Sequence, residues 1–389
     1  MVMSGVTERL CALQVLRALA AGAVIFSHAQ DTYITKVASA WLPLSSFALG
    51  DLGVKLFFCI SGFMIAGAGA RMAPGAGSVA EFAWRRVVRV VPLYWAVTFV
   101  YAAKLAWQGD PPTVGELTSS LSFIAHNEYV IRPILGVGWT LNFEMFFYAV
   151  FAFSLFLDRK LRGSWVAACF LIMFVMKWDG LTAPPGSAPV GSVPAGFLYL
   201  LTNICLVYFL IGMLLAWARQ RCMRLIVAAG LPAGWALLLA AAVLGAYLSL
   251  LALEPWLGWL PWWAGWGEVV LALVVVLAVG ACLLEKVGSG GPEGRVFTLL
   301  QRAGDASYSS YLTHGFVMGP AARLLSFLGV DMPVVVFSAA MVVACTAVGL
   351  LVHHVFEKPL LKRFSTPPWL ALPARPVFQA PKRSSSSGR

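Results

Sequence analysis

Residues 332–355 read MPVVVFSAAMVVACTAVGLLVHHV and contain no Asp, Glu, Lys or Arg. A helix that crosses roughly 30 Å of hydrocarbon needs about 20 apolar residues, and apolar stretches of this kind recur along the 389-residue chain. Charged residues make up 12% of the chain, about half the share found in soluble domains, and the mean hydropathy is +0.81. The sequence therefore predicts an all-α integral membrane protein, and it excludes a disordered chain, a collagen and a small disulfide scaffold.

The apolar stretches predict about ten transmembrane helices. They lie at about 10–30, 48–69, 90–108, 137–157, 164–178, 196–217, 226–251, 260–284, 307–328 and 332–355. The fifth prediction is the weakest, because this stretch is short and ends at Lys177 and Asp179. Without it, the C-terminal half of the protein would take the opposite orientation in the membrane.

Basic residues are concentrated on one side of these predicted helices. If the N-terminus is cytoplasmic, most of the 28 Lys and Arg residues fall in inner segments, as the positive-inside rule requires. This distribution predicts that both termini are cytoplasmic, and it explains the net charge of +11 without binding of nucleic acid. We expect a membrane domain over residues 1–364 and a flexible cytoplasmic tail over residues 365–389.

The seven cysteines are scattered along the chain, without a CxxC pair, and nearly all fall inside or beside apolar stretches. We interpret them as small buried thiols. The sequence predicts no structural disulfide and no metal site.

Two ionisable residues share one face of the first predicted helix. Arg17 and His28 are eleven residues apart, a spacing that returns to within roughly 20° of the same direction and covers roughly 16 Å along the axis. Charged groups inside a bilayer are costly and mark function or pairing. His28 is either part of a functional site or a histidine that forms hydrogen bonds in the core.

Glu144 lies on the fourth predicted helix, in the motif GWTLNFEMFFY (138–148). Counted from the start of that helix, it sits roughly 10 Å below the outer surface, in the same outer third as His28. A carboxylate beside an imidazole fixes the tautomer and stabilises the imidazolium that forms when a general base takes a proton. The alternative is a buried Glu144 that pairs with Lys55 or Lys104 for folding alone.

Three arginines, Arg85, Arg86 and Arg89, stand at the inner mouth of the third predicted helix. Guanidinium groups bind phosphates in bidentate fashion, although anchoring at the membrane surface explains them equally well. His314 falls in the inner third of the ninth helix, where catalysis and a packing hydrogen bond are both open. We interpret His353 and His354 as interfacial.

Six motifs, in order, resemble acyltransferase family three, whose members are ten-helix membrane proteins that acylate sugars. The motifs are LRALAAGAVIFSH (16–28), LFFCISGF (56–63), RVVRVVPLYW (86–95), GWTLNFEMFFY (138–148), SYSSYLTH (307–314) and FEKPL (356–360). The resemblance covers residues 12–363. The fourth motif is similar to the form found in the exopolysaccharide-production branch, and it contains a single carboxylate, Glu144, where the commoner form has two.

The resemblance implies a reaction at the bacterial inner membrane by a multi-pass protein without a bound cofactor. The donor is a cytoplasmic acyl-CoA, with acetyl-CoA expected. The acceptor is a hydroxyl of an extracytoplasmic polysaccharide or lipid-linked glycan. The resemblance and the residues together assign three catalytic members, Arg17, His28 and Glu144, and four donor-binding members, Arg85, Arg86, Arg89 and His314. A homo-oligomer and separate polysaccharide-biosynthesis partners are both left open.

Alternative functions differ in the acyl group or in the class of protein. One is transfer of succinyl or another acyl group to a glucan or a glycosylated small molecule. A second is a proton-coupled transporter that uses Arg17, His28 and Glu144 as a path, although the two halves show no convincing internal repeat of the kind many transporters contain. A third is a non-catalytic sensor or scaffold, which requires neither the histidine nor the arginines.

Overall fold

The computed structural model describes residues 11–38, 44–124, 133–178, 205–228, 241–246, 249, 267–283 and 294–368. All regular structure within these ranges is helical, which confirms the predicted all-α class. The helices are α1 (Cys11–Tyr33), α2 (Leu44–Gly69), α3 (Ala76–Trp107), α4 (Val114–Leu121), α5 (Trp139–Ser154), α6 (Arg159–Trp178), α7 (Cys205–Ala228), α8 (Gly267–Leu283), α9 (Arg295–Asp305), α10 (Ser307–Leu328), α11 (Val334–Val352) and α12 (Lys358–Arg363).

Four helical segments of the described chain are long and apolar enough to cross a membrane. They are Cys11–Val37, Ala48–Gly69, Ala76–Trp107 and Val334–Arg363, and they match the first, second, third and tenth predictions. The fourth, fifth and ninth predictions correspond to α5, α6 and α10, which have 16, 20 and 22 residues. The sixth to eighth predictions are only partly covered by the described residues. The protein is therefore a helical membrane protein, while the number of ten helices and the cytoplasmic termini stay predictions.

Helix α3 begins at Ala76, well before the predicted start near residue 90. The added turns are polar but stable as a helix, because Arg85 forms an ion pair with Glu81 at 2.5 Å one turn earlier. Trp84 Nε1 donates a hydrogen bond to the Phe364 carbonyl oxygen at 3.0 Å. As a result, the three arginines predicted at the mouth of a helix lie within a continuous one.

The short helix α4 is fixed by its own N-terminus and by α3. The Glu116 carboxylate accepts hydrogen bonds from the backbone N–H and the hydroxyl of Thr113, at 2.7 and 2.8 Å, and these bonds lower the pKa of the Glu116 carboxyl. The hydroxyl of Tyr94 lies 2.9 Å from that of Ser120 and ties α4 to α3. Helix α4 is thus anchored on α3.

Helices α2 and α7 approach each other closely at two glycines. A Cβ atom at Gly212 of α7 would overlap the carbonyl oxygen of Cys59, and a Cβ atom at Gly62 of α2 would overlap the carbonyl oxygen of Phe209. Small residues at such contacts let two backbones pack directly against each other in a membrane.

Gly212→Val is expected to destabilise the protein by about 1–3 kcal/mol, because the added methyl groups force the backbones of α2 and α7 apart. Thermal unfolding of the purified protein in detergent measures the loss. Gly67→Val is the matched control, since no neighbouring atom lies within 4 Å of a Cβ atom built at Gly67. Equal unfolding temperatures for the two variants would contradict close packing at Gly212.

Candidate active site

A cavity of about 1060 Å³ lies among α1, α2, α3, α5 and α10 and extends to the segment after α11. We call the side of the bundle on which α1 begins the proximal side, and the cavity occupies that side. Its described lining has six cationic side chains, Arg17, Arg85, Arg86, Arg89, Arg302 and Lys358. Only two described carboxylates, Glu144 and Asp305, line it. This excess of positive charge favours an anionic ligand, and guanidinium groups suit phosphates in particular.

Arg17 is placed among the charged groups of this cavity. Its guanidinium lies 3.5 Å from the side-chain oxygen of Gln14, and the charges that act on it belong to Arg89, Glu357, Glu144 and Asp305. The structure therefore brings Arg17, Glu144 and the three arginines of α3 together around one space.

Glu144 lies on the cavity wall and accepts hydrogen bonds from the hydroxyls of Tyr148 and, at 3.3 Å, Ser61. The guanidinium of Arg86 packs over the Tyr148 ring at 5.5 Å. The Nε atom of Arg86 is buried without a hydrogen-bond partner among the described residues.

The predicted folding partners of Glu144 make other contacts. Lys55 is fully buried and forms an ion pair with Asp51 on its own helix. The ammonium group of Lys104 lies 4.7 Å from the centre of the Tyr101 ring. The structure thus places both lysines in pairs of their own, and Glu144 is held by hydroxyl groups instead.

His28 lies apart from Glu144, outside the residues that line the cavity. The prediction that the two share one depth rested on counting from the start of α5 as though it lay at the membrane surface. With 16 residues, α5 spans roughly 24 Å, less than the roughly 30 Å of hydrocarbon, so its start does not fix a depth. The described structure does not show the expected contact of Glu144 with His28.

His28 instead stacks on His314, with ring centroids 5.2 Å apart and an angle of 24° between the ring planes. His28 is exposed, whereas His314 is buried. Nδ1 of His314 donates a hydrogen bond to the Tyr311 carbonyl oxygen at 2.6 Å, which leaves Nε2 as the basic nitrogen of the neutral ring. His314, which the sequence analysis grouped with the arginines, is therefore placed beside His28.

Tyr311 and Thr140 form a layer between the cavity and the two histidines, which we call the Tyr311 layer. Both residues line the cavity. Their hydroxyl oxygens lie 3.0 Å apart, and each lies 3.1 Å from the Val137 carbonyl oxygen. The Tyr311 ring is 6.0 Å from the ring of His314, and neither His314 nor His28 is among the residues that line the cavity.

The sequence analysis missed a group beside the cavity that contains His353. This histidine, expected to be interfacial, lines the cavity, and its Nδ1 lies 2.9 Å from Oε2 of Glu357. The same oxygen accepts a hydrogen bond from Ser309 Oγ at 2.5 Å. A signal was available, because residues four apart in a helix are neighbours and both Glu357 and Ser309 lie within motifs of the sequence.

Among the described residues, no group of three or more His, Cys, Asp and Glu side chains is arranged to hold a metal ion.

Comparison with known proteins gives matches over most of the chain. The sequence profile of the acyltransferase domain family known as acyltransferase 3 matches residues 12–353. The chain is 32% identical over 330 residues to the exopolysaccharide production protein ExoZ of Rhizobium meliloti (strain 1021), covering 82% of this chain and 91% of that protein. It is 26% identical over 398 aligned positions to the acyltransferase MdmB of Streptomyces mycarofaciens, covering 96% and 95%. No solved structure gives a significant match.

Proposed function

Because this chain belongs to the acyltransferase 3 family and is a membrane O-acyltransferase, we propose that it moves an acetyl group from cytoplasmic acetyl-CoA to a hydroxyl of an extracytoplasmic polysaccharide or lipid-linked sugar. The observation that carries this proposal is the pair of sites on either side of the Tyr311 layer: a cationic cavity on one side and the stacked histidines on the other. The alternatives of a transporter and of a non-catalytic scaffold are set aside, since the chain is an enzyme.

The donor site in this proposal is the cavity. Acetyl-CoA has several phosphate groups at one end and a thioester at the other, and the six cations match the phosphates. The volume of about 1060 Å³ is at the upper end of the range typical of ligand pockets. The distribution of basic residues supports a cytoplasmic proximal side, which is where acyl-CoA would enter a bacterial inner membrane protein.

The reaction centre in this proposal is His28. Its imidazole takes the proton of the acceptor hydroxyl while the oxygen attacks the thioester carbonyl, so that a C–O bond forms, the C–S bond breaks and the thiolate receives a proton. In a variant of this scheme, His28 first accepts the acyl group itself. Arg17 and Glu144, both on the cavity wall, bind the donor and balance charge there.

The acceptor class is supported by the relative whose name refers to exopolysaccharide production. An exposed His28 fits an acceptor too large to enter the bundle. Succinyl in place of acetyl remains the alternative acyl group, and acylation of a small glycosylated product the alternative acceptor.

The test is the ester content of surface polysaccharide from a deletion strain and from the same strain complemented with the wild-type chain. Proton NMR before and after mild base detects acetyl and succinyl esters separately. A base-labile acetyl signal that is lost on deletion and restored by complementation supports the proposal. If a succinyl signal is lost and restored in this way, the transferred group is succinyl and not acetyl. Unchanged ester content contradicts a polysaccharide acceptor.

A further inference from the structure

The group formed by Ser309, His353 and Glu357 lies beside the cavity and has no part in the reaction described above. Ser309 and Glu357 are almost completely buried. Both Ser309 and His353 bond to the same carboxylate oxygen, at 2.5 and 2.9 Å. The group therefore links α10 to the segment that follows α11.

The backbone of this segment is unusual. Residues His353–Glu357 form a π-helix between α11 and α12, and π-helical turns inside α-helices are rare and frequent at functional sites. Within this turn His353 contacts Glu357, and His353 also lines the cavity.

The hydrogen bond with Glu357 determines which nitrogen of the neutral His353 ring carries the proton. A carboxylate only accepts, so Nδ1 of His353 donates the proton, and Nε2 is the nitrogen left for a further partner. A second hydrogen bond from Ser309 holds the carboxylate in place. Glu357 is thus a positioning residue for His353.

His353 lies at the cationic end of the cavity. Charged or titratable groups of the described chain that share this region come from α1, α3, α9, α10 and the turn itself: Arg17, Arg85, Arg86, Arg89, Arg302, Asp305, Tyr308, His354, Glu357 and Lys358. The charges of Arg89 and Arg17 both interact with that of Glu357. Arg89, Lys358 and His353 therefore all line the cavity that would hold the ligand.

We propose that His353, positioned by Glu357 and Ser309, is a phosphate-binding residue of the donor cavity and adds a positive charge to it when protonated. This proposal rests on the proposed function, because it takes the phosphates of a coenzyme A donor as the ligand. Because Nδ1 of His353 bonds to Glu357, Nε2 donates a hydrogen bond to a phosphate only when the ring is protonated. The proposal therefore predicts that the affinity for the donor depends on pH through this residue.

The experiment measures binding of adenosine 3′,5′-bisphosphate and of coenzyme A to the purified full-length protein by calorimetry at pH 6 and pH 8. The phosphate group itself titrates near pH 6, so the quantity compared is the ratio of the Kd of a variant to the Kd of the wild type at each pH. For His353→Gln this ratio is expected to be about 10 at pH 6, as for loss of one charged hydrogen bond, and close to 1 at pH 8.

A second variant separates charge from folding. His353→Lys retains a cation at both pH values, and we expect it to bind the bisphosphate more tightly at pH 8 than His353→Gln does. A ratio for His353→Gln that does not change with pH, or a lysine variant that binds no better than the glutamine variant, would overturn the proposal. Unfolding temperatures of both variants show whether they are folded.

The binding data distinguish failure of the proposed function from failure of the role of His353. If the wild type binds neither bisphosphate nor coenzyme A, the acyl-CoA donor of the proposed function is wrong. If the wild type binds both and the ratio for His353→Gln stays flat, the donor stands and only the role of His353 is lost. In steady-state kinetics at pH 6, we expect His353→Gln to have a higher KM for acyl-CoA than the wild type, with little change in kcat.

Discussion

His28→Ala is expected to lower the rate of acyl transfer about a thousandfold, within the range that a general base contributes to catalysis. A sugar hydroxyl is a weak nucleophile, and the variant has no group at that position to take its proton. The measurement is transfer of labelled acetyl groups from acetyl-CoA to the cell's own glycan in isolated membranes.

The same variant should bind coenzyme A as the wild type does, because His28 lies outside the residues that line the cavity. Thr35→Ala is the matched control. Thr35 lies in the π-helix Ile34–Ala38 that follows α1, and its exposed hydroxyl donates to backbone carbonyl oxygens one turn earlier. Full acetylation by His28→Ala, with protein levels equal to those of the control, would exclude His28 as the base and as the acyl carrier.

Arg89→Gln is expected to weaken coenzyme A binding by about 10- to 100-fold, since a hydrogen bond to a charged group contributes about 1.5–3 kcal/mol. Arg89 lines the cavity on α3, one turn from Arg86. Calorimetric titration with coenzyme A gives the affinity, and unfolding temperatures show whether the loss of the charge near Glu357 harms the fold.

Two further variants make this result specific. Lys104→Gln removes the same charge from the other end of α3, and we expect it to leave binding unchanged. Arg89→Lys keeps the charge without the planar fork and should fall between the wild type and Arg89→Gln. If Lys104→Gln weakened binding as much as Arg89→Gln, the effect would be one of overall charge and not of a phosphate site.

Much of the fold and part of the site could be predicted, because a bilayer imposes strong rules on sequence. Long apolar stretches have to be helical, and this fixed the class and the spans that include α2 and α11. Charged residues within such stretches are costly, and three of those singled out, Arg17, Glu144 and Arg89, line one cavity.

The remaining features depend on packing that a single sequence does not reveal. The depth of Glu144 could not be counted from the start of a 16-residue helix. The contact of His314 with His28 depends on how α10 is rotated against α1. The position of His353 on the cavity wall depends on how the segment after α11 packs against α10.

The Tyr311 layer has an electrical consequence for the proposed reaction. Water and ions that fill the cavity would keep its electrical potential close to that of the compartment to which the cavity opens. The membrane potential would then fall largely across the Tyr311 layer. Moving one charge through it is worth about 2.3 kcal/mol per 100 mV.

In the proposed reaction, an acetyl group moves from cytoplasmic acetyl-CoA to the acceptor outside. The thiol of coenzyme A gains a hydrogen, and the acceptor hydroxyl loses one. If the proton of the acceptor crosses the layer with that exchange, no net charge moves, and the reaction is independent of the membrane potential. If the proton leaves to the outer solution instead, each turnover carries one positive charge outward against the potential. A proton that crossed the layer would pass the hydroxyls of Tyr311 and Thr140, which lie 3.0 Å apart.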